Sequence, residues 1–163
     1  MGASFAEAVG IVLAGGLSSR MGQNKALLSF HGVPLVKRML VLLRATGVAE
    51  AHVSGKISGF NCIEDVTPYA GPAPAMRHLA GQVFAGRLCL FVPVDMPLLT
   101  PEILRALLVR GNSCFFKAFP LPAVLKYTEA GAASCEDTIR SLLTAQNAEA
   151  IPLRQEWEQC FLN

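Results

Sequence analysis

A glycine-rich segment near the N-terminus carries two basic side chains. It reads LAGGLSSRMGQNK from Leu13 to Lys25 and directly follows a short apolar run. Backbone N–H groups in a glycine turn, together with the cations of Arg20 and Lys25, favour a site for a polyphosphate. An ordinary tight turn is the alternative, and a Gly-Gly pair alone would favour that alternative.

The spacing of the glycines excludes two common phosphate-binding motifs. A Walker A loop has four residues between its glycines and a lysine directly after the second glycine. Here five residues separate Gly16 from Gly22, and Gln23 follows. The GxGxxG pattern is also absent, which counts against an enzyme that uses a nicotinamide dinucleotide.

A carboxylate is the second candidate. Asp95 ends the apolar run from Leu88 to Val94. A carboxylate at the end of a buried strand is poorly solvated without a cation, and Mg²⁺ prefers carboxylate and phosphate oxygens. We therefore expect Asp95 to hold Mg²⁺, with a capping role before Pro97 as the alternative.

Cations and a metal-binding carboxylate together suit nucleotidyl transfer. Attack on the α-phosphorus of a nucleoside triphosphate builds negative charge on the phosphate oxygens and on the departing pyrophosphate. Fixed cations such as Arg20 and Lys25 would stabilise that charge. No protein nucleophile is required, because an acceptor phosphate can displace pyrophosphate directly.

Apolar runs alternate with helical patterns along the rest of the chain. The patterns predict strands over residues 8–13, 51–54, 62–66, 88–94, 113–118, 150–153 and 160–162, and helices over 34–45, 74–84, 101–109 and from 134–137 to 145. Such alternation predicts an α/β fold with a mostly parallel central sheet and helices on both faces. Ligands bind such sheets beyond the carboxyl ends of the strands, so the loops after Leu13 and Val94 should form the site.

Composition limits the other possibilities. A chain of 163 residues predicts a single domain spanning residues 1–163, and a hydrophobic fraction of 52% excludes a disordered chain. Charged residues interrupt every long apolar stretch, so we expect no membrane segment, and a net charge of +2 does not indicate nucleic-acid binding. The five cysteines form no CxxC pair, and the first residues lack the basic region of a signal peptide, which together indicate the cytoplasm.

The segment from Leu13 to Leu28 resembles the MobA-like nucleotidyltransferases, whose signature is LAGGxSxRMGxxKALL. Within that family it is most similar to the guanylyltransferases of molybdenum cofactor synthesis. Two later segments add to the resemblance: Ile63-Glu64-Asp65 with Gly71-Pro72 is similar to the nucleotide-site segment, and residues 91–97 (FVPVDMP) are similar to the metal-binding strand end. In order and rough spacing the resemblance covers residues 9–163.

The resemblance implies a three-layer, Rossmann-like nucleotidyltransferase fold and a set of site residues. Leu13, Ala14 and Gly15 would approach the nucleotide with their backbone, in a binding loop that includes Gly16. Lys25 would contact phosphate, and Arg20 would assist it. Asp65 would hold the nucleoside, Asp95 would carry Mg²⁺, and Ser54 falls where the family often places an asparagine near the base.

The implied activity is transfer of GMP from Mg·GTP to molybdopterin-bound molybdenum, with release of pyrophosphate. The product would pass to a molybdoenzyme or its chaperone. Three alternatives stay open: a cytidylyltransferase, a nucleotidyltransferase for a sugar or polyol phosphate, and a nucleotide- or pterin-binding accessory protein without catalysis.

Pro74 and the shortened C-terminal motif depart from the family pattern and motivate the non-catalytic alternative. The usual GPLAG run appears as Gly71-Pro72-Ala73-Pro74-Ala75, in which Pro74 removes a backbone donor. Phe119 stands in place of a histidine in the HPxxAL-like region. The closing FxNxNTPE motif is present only as residues 161–163, so we expect either a compact natural version of the family or another group that completes that side of the metal site.

Overall fold

Parallel strands form the centre of the molecule. The computed structural model describes residues 5–15, 25–64, 71–129 and 138–162. The strands in these ranges are β1 (Val9–Leu13), β2 (Ser29–Phe30), β3 (Val33–Pro34), β4 (Glu50–Ser54), β5 (Cys62–Ile63), β6 (Cys89–Pro93), β7 (Cys114–Phe116), β8 (Phe119–Leu125) and β9 (Glu149–Ile151). The α-helices are α1 (Leu35–Thr46), α2 (Pro72–His78), α3 (Pro101–Leu108) and α4 (Ile139–Ala145).

The strand order of the main sheet is β5-β4-β1-β6-β8-β7-β9. Among these strands, β1 pairs in parallel with both β4 and β6, β4 with β5, and β7 with β9. Strand β8 is antiparallel to both of its neighbours. The mostly parallel sheet predicted from the sequence is therefore confirmed. Strands β2 and β3 form a separate antiparallel hairpin that the sequence patterns did not predict.

Helices cover both faces of the sheet and make three layers. Side chains of a strand alternate between faces, so Val12 packs into the cluster formed with α1 and α3. Its neighbours Ile11 and Leu13 enter the opposite cluster with α2 and α4. Burial on both faces explains why β1 and β6 read as continuous apolar runs rather than as alternating ones.

Caps fix the ends of α1 and α3. Thr100 accepts a hydrogen bond from the Ile103 N–H at 3.4 Å and Pro101 occupies the first turn, as the sequence predicted for α3. Helix α1 ends at Gly47, whose φ of 102° is left-handed. Arg105 of α3 donates to the carbonyl oxygens of Ala45 and Thr46, which have no partner inside the helix.

The C-terminal prediction was wrong. Residues 160–162, expected as a strand, belong to a 3₁₀ segment, Gln155–Phe161, and the residue that follows it. Trp157 and Phe161 are four residues apart, and both meet the ring of Phe116, with centroids 6.1 and 5.5 Å away. The rise of about 2.0 Å per residue in a 3₁₀ segment keeps these two residues about 8 Å apart along its axis, whereas a strand would separate them by about 13 Å.

Strand β8 was also not predicted, and it contains Pro120 and Pro122, residues that a central strand usually excludes. The paired residues of β8 are Phe119 and residues 123–125, and the register shifts between Phe115 and Phe116 of β7. Neither proline occupies a paired position, so the missing N–H groups remove no ladder hydrogen bond from these pairs.

Helix α4 begins later than its predicted start. Thr138 and Ser141 form a capping box, while the predicted capping residues 134–137 lie outside the described residues. No helix in the described part of the chain is both long enough and apolar enough to cross a bilayer.

Two buried thiols give a prediction about reactivity. Burial raises the pKa of Cys89 and of Cys114 to about 12, so the reactive thiolate is depleted by about 10³ relative to an ordinary cysteine. We expect both thiols to react with iodoacetamide at least ~10²-fold faster in denaturant than in the native protein. Half-buried Cys62 and Cys160 serve as controls with a smaller ratio. Mass spectrometry of peptides measures the alkylation of each cysteine. Rapid alkylation of Cys89 or Cys114 in the native protein would contradict their burial.

Candidate active site at the carboxyl edge of the sheet

Three neighbouring strands end at the same level. Leu13 of β1 is paired with Ser54 of β4 on one side and with Pro93 of β6 on the other. The pairing continues one residue further, because the Ala14 N–H donates to the Ser54 carbonyl oxygen at 2.9 Å. The loops that follow the three strands therefore leave the sheet from one edge, as the sequence predicted.

A glycine that the sequence reasoning missed controls how close two of these loops come. Gly55 follows Ser54 with a φ of +128°, and a Cβ there would lie 2.7 Å from the Gly15 nitrogen and 3.0 Å from its Cα. Only glycine fits at this distance, and only glycine adopts this φ readily. The available signal was its position directly after a predicted strand that borders the glycine-rich turn.

Lys25 and Asp95 meet at this edge. The Lys25 Nζ lies 3.9 Å from the Asp95 Oδ2, although 70 residues separate them in the chain. The side chain of Lys25 is 60% exposed and that of Asp95 is 32% exposed, so both remain open to a ligand. This contact places the cation and the carboxylate in one site, as the proposed chemistry requires.

Local structure explains where Lys25 sits. It opens a 3₁₀ turn, Lys25–Leu27, whose middle residue Ala26 is fully buried. The Leu28 N–H donates to the Lys25 carbonyl oxygen at 3.1 Å. The Leu28 carbonyl oxygen in turn accepts a hydrogen bond from the Leu35 N–H at the start of α1. The backbone at Lys25 is thereby fixed while its long side chain extends into solvent.

Asp95 occupies the matching position after β6. Val92, Pro93 and Val94 are buried, and Asp95 is the first half-exposed residue of the loop. It is a hard oxygen donor at the end of a buried strand, the position predicted from the sequence.

The described residues contain no group of three or more His, Cys, Asp or Glu side chains that could enclose a metal ion. A single carboxylate fits Mg²⁺, which is usually held by one or two carboxylates, substrate phosphates and water. It would not fit a structural Zn²⁺ site, which needs four ligands.

The remaining predicted residues fall into two groups. Leu13, Ala14 and Ser54 are buried at 8%, 6% and 3% exposure, and the Ala14 N–H is already bonded to the strand beside it. These residues fix the ends of β1 and β4, whereas Gly15, the next residue along the chain, is exposed. The other predicted residues, Gly16, Arg20 and Asp65, lie outside the described residues.

Pro74 has less effect on local structure than the sequence suggested. Gly71 is the N-cap of α2, with Pro72 as the first helical residue and Pro74 as the third. The N–H groups of the first helical turn have no partner inside a helix, so Pro74 removes no hydrogen bond from α2.

A family model described as the MobA-like NTP transferase domain matches residues 10–151. The molybdenum cofactor guanylyltransferase of Xanthomonas euvesicatoria pv. vesicatoria is 46% identical over 99 residues, which cover 61% of this chain and 52% of the relative. The probable molybdenum cofactor guanylyltransferase of Pelotomaculum thermopropionicum is 35% identical over 113 residues, covering 65% of this chain and 54% of the relative. The chain spans about half the length of these curated relatives.

Solved structures support the fold. Molybdopterin-guanine dinucleotide biosynthesis protein A from Archaeoglobus fulgidus matches with a TM-score of 0.66 and 21% identity, covering 93% of this chain and 86% of that chain. The 2-C-methyl-D-erythritol 4-phosphate cytidylyltransferase of Thermus thermophilus matches with a TM-score of 0.64 and 13% identity, covering 94% of this chain and 90% of that chain. These likenesses confirm the predicted Rossmann-like nucleotidyltransferase fold.

The close approach at Gly55 gives a prediction. Gly59 lies in the same loop with a φ of +85° and has nothing within 4 Å of an added Cβ. Gly59→Ala should therefore lower the free energy of unfolding by about 1–2 kcal/mol, the cost of placing an alanine in a left-handed backbone conformation. Gly55→Ala should cost about 1–3 kcal/mol more, because its Cβ also overlaps the Gly15 backbone. Urea denaturation of both variants measures the difference, and equal losses would contradict the close approach.

Proposed function

Because the chain belongs to the MobA-like NTP transferase domain family, we propose that it transfers GMP from Mg·GTP to molybdopterin-bound molybdenum and releases pyrophosphate. The names of the two curated relatives above support this choice of nucleotide and acceptor. Molybdoenzymes or their chaperones are the proposed recipients of the product.

The observation that carries the proposal is the contact between Lys25 and Asp95. A cation and a hard carboxylate, both open to solvent, lie 3.9 Å apart at the sheet edge where the exposed Gly15 follows β1. This combination suits a substrate that carries phosphate charge and a divalent ion together.

The proposed reaction is a direct displacement. An oxygen of the terminal phosphate of the acceptor forms a bond to the α-phosphorus of GTP. The bond from that phosphorus to the oxygen bridging to the β-phosphate breaks, and pyrophosphate leaves with the electron pair. The product joins the two phosphates of the acceptor and of GMP in a pyrophosphate linkage.

Lys25 stabilises the negative charge that this displacement develops. Lys25 is paired with Asp95 in the structure, but an exposed ion pair of this kind contributes only ~0–1 kcal/mol. Exchanging the carboxylate for a phosphate partner therefore costs little free energy. The fixed 3₁₀ turn beneath Lys25 limits how far its side chain has to be reorganised.

Asp95 is the residue proposed to hold Mg²⁺. When bound there, the ion would neutralise phosphate charge and contact oxygens of the substrate. A structure of Rv0371c from Mycobacterium tuberculosis, described as a complex with manganese, shares this fold with a TM-score of 0.58 at 16% identity, covering 90% of this chain and 88% of that chain. Among the described residues, Asp95 supplies a carboxylate and Lys25 a cation to the site, and Gly15 supplies backbone that a nucleotide can approach closely.

Removing either charged group tests the assignment. Asp95→Asn and Lys25→Met should each lower the rate of pyrophosphate release from GTP and molybdopterin by ~10²-fold or more. Glu149→Gln and Lys126→Met are matched controls at the opposite edge of the sheet, and their rates should stay within roughly twofold of the parent rate.

Two outcomes of that experiment would contradict the proposal. Rates for Asp95→Asn or Lys25→Met that match the two controls would remove the assigned roles. Saturable GTP binding by the parent protein without any turnover would instead favour the non-catalytic accessory protein.

Nucleotide preference is a separate prediction. A ligand at 100 times its Kd stabilises the folded state by about 2.7 kcal/mol. Each kcal/mol raises the melting temperature of a chain of this size by about 2–4 °C. We expect GTP with Mg²⁺ to raise the melting temperature more than ATP, CTP or UTP at equal concentration. A larger shift with CTP would favour the cytidylyltransferase alternative.

A further inference from the structure

Arg38 lies behind the candidate site and contacts two separate segments. It projects from α1, one turn after the helix begins. Its Nε donates to the Pro97 carbonyl oxygen at 3.1 Å, and its Cζ lies 4.7 Å from the centre of the Phe30 ring. The side chain is half-buried, so both contacts form in a partly desolvated environment.

Each contacted segment carries one of the two candidate site residues. Pro97 is two residues after Asp95 in the loop that follows β6. Phe30 belongs to the hairpin of β2 and β3, five residues after Lys25. One guanidinium therefore connects the backbone of the Asp95 loop to the segment that carries Lys25.

We propose that Arg38 is a positioning residue that fixes the Lys25 segment relative to the Asp95 loop and thereby sets the geometry for a metal–nucleotide complex. The inference rests on the proposed function. Arg38 acts through the two segments that it contacts, and nothing in its role requires direct contact with substrate.

The chemistry of arginine suits this connection. The guanidinium is planar, so its face can lie over an aromatic ring while an N–H in its plane donates to a carbonyl oxygen. A lysine ammonium is a point charge on a flexible stem and cannot fix both directions in the same way. The base of the connection is rigid, because Met39 of α1, the neighbour of Arg38, is fully buried.

A second arginine provides a matched control. Arg105 also donates through Nε to a backbone carbonyl oxygen, that of Thr46 at 3.2 Å, and this contact also involves α1. The carbonyl oxygen that Arg105 contacts belongs to the last turn of α1, whereas Arg38 itself lies near the first turn. Replacing either residue with methionine removes a guanidinium of the same kind, but only Arg38 is next to the candidate site.

The experiment compares the parent protein with Arg38→Met, Arg38→Lys and Arg105→Met. Hydrogen exchange followed by mass spectrometry reports on residues 25–34 and 94–100, and electron paramagnetic resonance of Mn²⁺ measures binding of Mn·GTP. Arg38→Met should speed exchange in both segments and weaken Mn·GTP binding by about 10-fold or more. Arg38→Lys should recover only part of that affinity.

Arg105→Met should leave exchange in both segments unchanged and Mn·GTP affinity within roughly twofold of the parent. If Arg38→Met fails to fold, Phe30→Leu replaces it. That variant keeps the bond to Pro97 but removes the ring, and it should speed exchange in residues 25–34 and weaken Mn·GTP binding.

The outcomes separate this inference from the proposed function. A parent protein that binds no nucleoside triphosphate refutes the proposed function, and the exchange data then decide whether Arg38 holds the two segments. Exchange or affinity in Arg38→Met equal to that in Arg105→Met overturns the positioning role, even when the parent protein binds GTP and turns it over.

Discussion

The parallel register of β1 with its two neighbours is the constraint on which the candidate site depends. Pairing Leu13 with Ser54 and with Pro93 brings three strand ends to one level. Each following loop then begins within two strand spacings of the others, about 10 Å. Shifting β1 by one residue would place Val9 or Ile11 where Gly10 packs against Leu43, and a Cβ there would lie 2.9 Å from the Leu43 side chain, so close packing fixes the register. The position of Asp95 relative to the glycine turn is thus a consequence of core packing.

Within that frame, the groups proposed to react are the ones that the core does not bury. Lys25 and Asp95 pair with partial exposure, whereas Leu13, Ala14 and Ser54 at the ends of the neighbouring strands are nearly fully buried. Burial at the strand ends restricts the backbone, while exposure of the pair keeps its mutual attraction weak enough for a ligand to replace it. A fully buried pair would resist that exchange, because separating it would leave an uncompensated charge in the interior.

Local patterns predicted the elements whose signals lie within a few residues. The apolar run of β1, the cap and proline at the start of α3, and the placement of Asp95 after β6 follow directly from sequence. The contacts of Gly55 and Arg38 do not, because each depends on a partner distant in the chain. Gly55 meets the turn at Gly15, and Arg38 meets Pro97, 59 residues away. Strand β8 was missed for a related reason, since only its pairing pattern shows that its prolines occupy unpaired positions.

The two ends of α1 show how one helix can serve both stability and the site. At its last turn, Arg105 bonds to carbonyl oxygens that have no partner within the helix, and Gly47 ends it. Near its first turn, Arg38 donates a hydrogen bond to the Pro97 carbonyl oxygen, which lies in the loop after Asp95 and outside the helix. A contact that serves only the helix would be expected at the C-terminal end, where unpaired carbonyl oxygens and the negative end of the dipole attract a cation. A cation near the N-terminal end gains nothing from the dipole, so the contacts of Arg38 with Phe30 and Pro97 must supply its stabilisation. Those contacts connect the two segments that carry Lys25 and Asp95, which links the placement of Arg38 to the geometry of the site.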